Sequence, residues 1–227
     1  NKLLIRRSYG STPEAVSLHG TSFINGLQSE GIIAVPKHFP GHGNTYVDSH
    51  AELPFIDADD AAMQKWELVP FKAAIDEGLD AVMIGHIAFP KLEPSLLPAT
   101  MSSYFLTDVL RKDLGFEGIS ISDDIEMKGY INSKDTIEEC VITSFNTGLD
   151  VFLIGHTMTI QEQVFNALRD ACRDGRISEE RLNESVLRII KVKLKNGLAD
   201  VMEYDFEEAV KIFGSGEHKA VLEELIK

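Results

Sequence analysis

Two nine-residue stretches share one pattern: Gly78 to His86 reads G-L-D-A-V-M-I-G-H, and Gly148 to His156 reads G-L-D-V-F-L-I-G-H. In each stretch a glycine ends a helical segment, an aspartate turns the chain, and an apolar run leads to Gly-His. Short apolar runs that are bounded by turn residues and separated by helical segments are typical of buried parallel strands in βαβ units. The pattern therefore predicts an α/β fold in which two strands each end in a histidine.

Two further apolar runs bring the number of expected strands to about four. We predict strands at about residues 32–38, 80–86, 118–123 and 149–155, each followed by polar side chains at its carboxyl end. In barrels and in open α/β sheets alike, that edge of the sheet holds the ligand. From about residue 159 the pattern is helical. Because no low-complexity linker interrupts the chain, we interpret residues 1–227 as a single domain.

Composition and charge exclude several classes of function. The chain has 227 residues, of which 44% are hydrophobic and 26% are charged, as in an ordinary globular protein. Its formal net charge of −14 argues against nucleic acid or an anionic membrane surface as the main partner. No apolar run reaches the roughly 18 residues of a membrane span. Cys140 and Cys172 form no recognisable metal motif or disulfide framework.

The segment K-H-F-P-G-H-G-N-T-Y-V-D-S-H, residues 37–50, concentrates side chains that can transfer protons. A metal site would require His38, His42 and His50 to converge on one ion, but their spacing matches no standard zinc motif. The glycines match no phosphate-binding loop either. An aspartate two residues before a histidine can fix the tautomer of the imidazole, which makes Asp48 and His50 candidates for an acid–base pair. We interpret His42 as a structural residue of the loop.

A second segment, G-I-S-I-S-D-D-I-E-M at residues 118–127, places Asp123 and Asp124 directly after a predicted strand. A carboxylate at the end of a barrel strand can attack an anomeric carbon. Aspartate is also a frequent helix N-cap, and we favour Asp124 for that structural role.

Taken together, these segments resemble the family 3 glycoside hydrolases, and most closely their bacterial β-N-acetylhexosaminidase branch, which trims N-acetylglucosamine from cell-wall fragments. The resemblance extends over about residues 1–195 and is specific as a combination, although each segment alone is not. It rests on five segments: K-H-F-P-G-H-G at 37–43, D-S-H at 48–50, S-D-D-I-E-M at 122–127, R-R-S-Y-G at 6–10 and D-A-V-M-I-G-H at 80–86.

The resemblance implies a role for each matching residue. Asp123 matches the nucleophile that forms a covalent glycosyl–enzyme intermediate. His50 matches an unusual histidine acid/base, and Asp48 matches the partner of that histidine. The resemblance implies neither a cofactor nor a metal. The residues expected to bind the sugar are Lys37, His38, Arg7 and, more loosely, His86.

The fold implied by the resemblance is a (β/α)8 TIM-barrel-type catalytic domain. A full barrel typically needs about 250 residues, and the family's first three strands with their D-Q-E-G-G segment are not found here. We therefore expect the chain to supply roughly the C-terminal two-thirds of the barrel. The missing strands would come from an upstream segment or from another chain, and without them we expect the isolated chain to rearrange, to oligomerise or to be inactive.

The expected function is that of a retaining exo-β-N-acetylglucosaminidase acting on terminal β-linked N-acetylhexosamine in cell-wall fragments or chito-oligosaccharides. A phosphorylase or a β-glucosidase of the same family and a non-catalytic sugar-binding fragment remain open. The expected partner is carbohydrate, with no nucleic acid and no membrane span. Relatives occur in the cytoplasm and as exported lipoproteins, and we favour the cytoplasm.

Overall fold

The computed structural model describes residues 7–45, 53–131, 135–198 and 205–225. The chain divides into two compact units, residues 1–196 and 197–227. The interpretation of residues 1–227 as a single domain stays a prediction. The α-helices are α1 (Pro13–Ser29), α2 (Asp60–Ala62), α3 (Val69–Asp76), α4 (Ile137–Thr147), α5 (Met158–Arg173) and α6 (Glu179–Lys195) in the first unit, and α7 (Phe206–Ile212) and α8 (Gly216–Leu225) in the second.

Three parallel strands lie side by side in the order β1 (Ala81–Ile84), β2 (Ile119–Asp124) and β3 (Val151–Leu153). Helical segments connect successive strands, including a π-helix at Tyr104–Asp113 between β1 and β2 and α4 between β2 and β3. The predicted strands at about 80–86, 118–123 and 149–155 are therefore confirmed, as is their parallel arrangement.

The prediction of a strand at about residues 32–38 is wrong: no strand forms in that described segment, and the next residue, Phe39, makes a parallel bridge with Ile84 of β1. Pro36 and Pro40 carry no N–H group, so a regular ladder cannot extend through them. The segment nevertheless lies along β1 and brings Lys37 and His38 to the carboxyl end of that strand. Three backbone hydrogen bonds hold it there: Met83 N to Pro36 O (3.1 Å), Phe39 N to Met83 O (2.8 Å) and Gly85 N to Phe39 O (2.8 Å).

The two faces of the sheet have different coverings. On one face, Val82 and Ile84 of β1 are completely buried in the main apolar cluster, which also contains Phe71, Phe105 and Leu106 from the flanking helices. The other face carries a smaller buried cluster to which α6 contributes. Its members are Ala81, Ile119 and Val192, with Ile33, Val35, Ile121, Val151 and Ile189 packed against them.

The aspartates of the two repeated patterns, Asp80 and Asp150, lie just before β1 and β3 and are both buried. Each aspartate accepts hydrogen bonds from side chains of α6 or of Asn196, the residue directly after α6. The two G-L-D patterns thus attach two strands to the same helix. The donors to Asp80 are Lys195 Nζ (2.6 Å) and Asn196 Nδ2 (3.1 Å), and the donors to Asp150 from α6 are Ser185 Oγ (2.6 Å) and Arg188 Nη1 (3.1 Å).

Within the described ranges, every helix is too short or too polar to cross a membrane.

Candidate active site

Asp123 and Asp124 end β2, and their side chains have different surroundings. Side chains alternate between the faces of a strand, so Asp123 shares a face with Ile119 and Ile121 of the smaller apolar cluster. The carboxylate of Asp124 instead reaches the connection between β3 and α5, where its Oδ2 lies 3.4 Å from His156 Nε2. Of the two adjacent carboxylates, Asp123 is therefore the one that meets the segment carrying Lys37 and His38.

Each carboxylate oxygen of Asp123 has its own partner. Oδ1 accepts the backbone N–H of Asp124 at 2.9 Å. Oδ2 lies 3.4 Å from Nε2 of His38, and both side chains are largely buried, with 17% and 11% of their surfaces exposed. The first contact fixes the plane of the carboxylate, and the second places it beside an imidazole.

Burial lowers the pKa of His38 from 6.5 to about 4, against the opposing effect of the negative charge on Asp123. Electrostatic interactions with His42, Lys37 and Arg7 lower the pKa of His38 further. His38 is therefore neutral near pH 7, and it lies beside Asp123 as an uncharged ring rather than as a cation. Gly85 permits this position, since a Cβ atom there would lie only 2.9 Å from the His38 Cβ.

The neutral state of His38 predicts a pH dependence of stability. Between pH 6.5 and 4 the unfolded chain binds more protons at this residue than the folded protein does, because the folded pKa is the lower one. The stability contributed by His38 is thus fully present above pH 6.5 and is lost as the pH falls towards 4. We expect the free energy of unfolding of the wild type, relative to His38→Gln, to decrease across this window in denaturant titrations. An NMR titration midpoint near 6.5 for the His38 ring would contradict the prediction.

The loop that follows His38 is held by its own side chains and by the π-helix Met63–Glu67. His42 Nδ1 lies 2.6 Å from Thr45 Oγ1, which supports a structural role for His42. Asn44 donates a hydrogen bond to Glu67 Oε1 at 2.6 Å. Within the described part of the chain, no group of three or more His, Cys, Asp and Glu side chains could hold a metal ion.

His86 follows the carboxyl end of β1 and is buried, with only 1% of it exposed. Its Nδ1 lies 3.0 Å from Thr100 Oγ1, and its Nε2 lies 3.1 Å from the backbone carbonyl oxygen of Asp124. Its ring packs against Tyr130, with 4.9 Å between the ring centroids. Substrate binding by His86 stays a prediction, but these contacts favour an indirect role.

The other predicted site residues fall into two groups. Lys37 and Arg7 are exposed, and both are near enough to His38 to affect its pKa. Asp48 and His50 lie outside the described residues, so their acid–base roles stay predictions.

The helix-capping role that we favoured for Asp124 is wrong. Its Oδ1 accepts the N–H of Glu126 at 3.1 Å within a turn, and the next helix in the described residues, α4, is capped by Thr136. The residue that does contact the start of a helix is Glu126, whose Oε2 accepts the N–H groups of His156 and Thr157 at 2.7 and 3.2 Å. No feature of the local sequence distinguished Glu126, because these partners come from the connection after β3.

Comparison with known proteins gives consistent results. The model for the glycosyl hydrolase family 3 N terminal domain matches residues 3–192. A "Beta-hexosaminidase A" from Pseudoalteromonas piscicida is 32% identical over 212 residues, which are 86% of this chain and 35% of that protein.

Two solved structures have a closely similar fold. The glycoside hydrolase family 3 β-N-acetylglucosaminidase from Paenibacillus sp. str. FPU-7 superposes with a TM-score of 0.86 at 38% identity, covering 91% of this chain and 39% of that one. The β-glucoside phosphorylase BglX superposes with a TM-score of 0.85 at 25% identity, covering 94% of this chain and 39% of that one. The chain thus spans less than half the length of each of these relatives.

Proposed function

Because the chain belongs to glycosyl hydrolase family 3 and forms part of the TIM-barrel-type domain of that family, we propose that the protein is a retaining exo-β-N-acetylglucosaminidase. Its substrates would carry a terminal β-linked N-acetylhexosamine, as cell-wall fragments and chito-oligosaccharides do. The observation that carries this proposal is the position of the Asp123 carboxylate, which lies beside a neutral His38 at the carboxyl ends of parallel strands.

The reaction proceeds in two displacements at the anomeric carbon. Asp123 forms a bond to that carbon while the bond to the leaving oxygen breaks, and the acid delivers its proton to the leaving oxygen. Water then attacks the same carbon, the base takes a proton from the water, and Asp123 is released as a carboxylate. We assign the acid and base steps to His50, paired with Asp48.

The surroundings of Asp123 suit a nucleophile. A protonated His38 would form an ion pair with the carboxylate and reduce its reactivity, whereas a neutral ring can donate only one hydrogen bond. Burial keeps the ring neutral by lowering its pKa to about 4. We propose that His38, Lys37 and Arg7 contact the sugar, since His38 adjoins Asp123 and the charges of Lys37 and Arg7 are near enough to lower the pKa of His38. Lys37 and Arg7 then provide cationic donors to sugar hydroxyls.

A second candidate function is phosphorolysis, in which phosphate replaces water in the second displacement. The similarity to the β-glucoside phosphorylase BglX favours it, as does the positive charge of Lys37 and Arg7 near His38, which adjoins Asp123. A β-glucosidase and a non-catalytic sugar-binding protein are the remaining alternatives.

A substrate panel tests the proposal. The intact protein is assayed with an aryl N-acetyl-β-glucosaminide and with the matched aryl β-glucoside, each with and without inorganic phosphate. We expect hydrolysis of the first glycoside to the free sugar at a rate that does not depend on phosphate. Accumulation of a sugar 1-phosphate would establish the phosphorylase instead, and faster cleavage of the glucoside would establish the β-glucosidase. Binding of N-acetylglucosamine without turnover of either glycoside would identify the protein as a non-catalytic sugar-binding protein.

A further inference from the structure

Asp124 is held from several directions, although it is not the residue that faces the proposed sugar site. Its backbone carbonyl accepts from His86 Nε2 at 3.1 Å, its Oδ1 accepts from the backbone of Glu126, and its Oδ2 lies beside His156. Its own N–H donates to Oδ1 of Asp123 at 2.9 Å. Any displacement of the Asp124 backbone would therefore be transmitted directly to the Asp123 carboxylate.

The hydrogen bonds around His86 define its tautomer. A carbonyl oxygen can only accept, so Nε2 must carry the proton that is donated to Asp124. Burial lowers the pKa of His86, which keeps the ring neutral and leaves Nδ1 without a proton. Thr100, which is itself completely buried, must then donate its hydroxyl proton to Nδ1 across 3.0 Å.

The backbone around Thr100 is fixed relative to His86. Thr100 lies in the 3₁₀ turn Ala99–Met101, and the N–H of Ala99 donates to the carbonyl of Ile87 at 2.9 Å. The Thr100 hydroxyl is therefore part of a rigid arrangement, and it donates to Nδ1 of a ring whose tautomer is set by the carbonyl of Asp124.

We infer that Thr100 and His86 are positioning residues for the nucleophile: the Thr100 hydroxyl holds the ring of His86 in the orientation that donates to Asp124, and Asp124 in turn orients the carboxylate of Asp123. This inference rests on the proposed function, because it assumes that Asp123 attacks the sugar. Neither residue touches the substrate. Their effect is on the rate of the chemical step, since an error of about 1 Å in the position of a reacting group can cost on the order of 100-fold in rate.

Thr100→Val in the intact protein tests the inference, because valine keeps the shape of threonine and removes only the hydroxyl. With an aryl N-acetyl-β-glucosaminide we expect kcat to fall by about 10- to 100-fold. We expect KM to stay within about two-fold of the wild type, because the sugar contacts proposed for Lys37, His38 and Arg7 are unchanged. Thr100→Ser restores the hydroxyl and should return kcat to within a few-fold of the wild type.

Thr107→Val is the matched control. It removes a hydroxyl that donates to the carbonyl of Thr147 at 2.9 Å, on the π-helix Tyr104–Asp113 and away from Asp123. We expect kcat to be unchanged in this variant. Equal losses of kcat in Thr100→Val and Thr107→Val, an unchanged kcat in Thr100→Val, or a failure of Thr100→Ser to recover activity would each overturn the inference.

The wild-type protein provides a further test that needs no variant. In ¹⁵N NMR spectra near pH 7 we expect His86 to be protonated on Nε2, and protonation on Nδ1 alone would overturn the inference. A wild type that turns over none of the glycosides would refute the proposed function instead, and the NMR result would still decide the tautomer. The two failures are thus distinguishable.

Discussion

Replacing Asp123 with asparagine is expected to lower kcat by about 10⁴-fold or more, the scale seen when a nucleophile or its partner is removed from other hydrolases. Asparagine keeps the size of the side chain, and its carbonyl oxygen can still accept the hydrogen bond from the Asp124 N–H. What it loses is the negative charge with which the proposed nucleophile would attack the anomeric carbon. The loss should therefore appear in kcat, with sugar binding largely retained.

The control for this substitution is Asp76→Asn, the same chemical change at an exposed residue. Asp76 lies at the end of α3 and pairs with Lys72 at 3.1 Å, and about 60% of each side chain is exposed. We expect this variant to retain the activity of the wild type. Melting curves of both variants show whether either change disturbs the fold.

Covalent trapping separates a nucleophile from a residue that only stabilises charge. A fluorinated glycoside with a good leaving group should add the mass of one sugar to the peptide that contains Asp123, and Asp123→Asn should not be labelled. If Asp123→Asn retains turnover, or if the sugar is found on another carboxylate, the assignment of the nucleophile is wrong.

Much of the fold could be predicted from the sequence because the strands are short apolar runs that end in polar residues. The repeated G-L-D patterns located β1 and β3, and the apolar residues before Asp123 located β2. The partial pairing of residues 32–38 was less evident, since it depends on two prolines whose effect becomes clear only when the partner strand is known.

The pair Asp123 and Asp124 shows where local patterns stop being informative. The sequence pattern predicted that one of them, Asp124, caps a helix. Capping requires a helix that begins at the next residues, and in the described residues no helix directly follows Asp124. The contact between Asp124 and His86 joins residues 38 positions apart. Only the pairing of β1 with β2 brings these residues together, so the contact between His86 and Asp124 could not be predicted from the neighbours of His86 in the sequence.

The same limit applies to Asp150, which the pattern marked only as a turn residue. Its side chain is completely inaccessible to solvent, and donors from several elements surround it. They are the backbone N–H of Ser120 (3.0 Å), Ser120 Oγ (3.0 Å), Ser185 Oγ (2.6 Å), Arg111 Nη2 (2.7 Å) and Arg188 Nη1 (3.1 Å), with Arg181 Nη2 at 3.7 Å. One carboxylate thus connects β2, the π-helix Tyr104–Asp113 and α6 at the start of β3.

Removing this carboxylate is expected to cause a large loss of stability. Burial already lowers the pKa of Arg111 to about 10, because the charged guanidinium group has lost much of its hydration. The negative charge of Asp150 offsets part of that cost. Asp150→Asn preserves the volume of the side chain but leaves the guanidinium group of Arg111, about 12% exposed, without its counter-ion, while Arg181 keeps only Glu184 at 3.7 Å. Breaking a buried ion pair by removing one partner typically costs about 3–5 kcal/mol. We expect a decrease of that size in the free energy of unfolding.

Urea titrations of the wild type, Asp150→Asn and Asp76→Asn measure this effect. The first substitution should shift the midpoint to markedly lower urea, while the second should shift it little, because an exposed pair contributes little to stability. If Asp150→Asn unfolds at the wild-type midpoint, the arginines do not depend on this carboxylate. The attachment of α6 to the sheet then comes from the contact of Lys195 with Asp80 and from the apolar contacts of Ile189 and Val192.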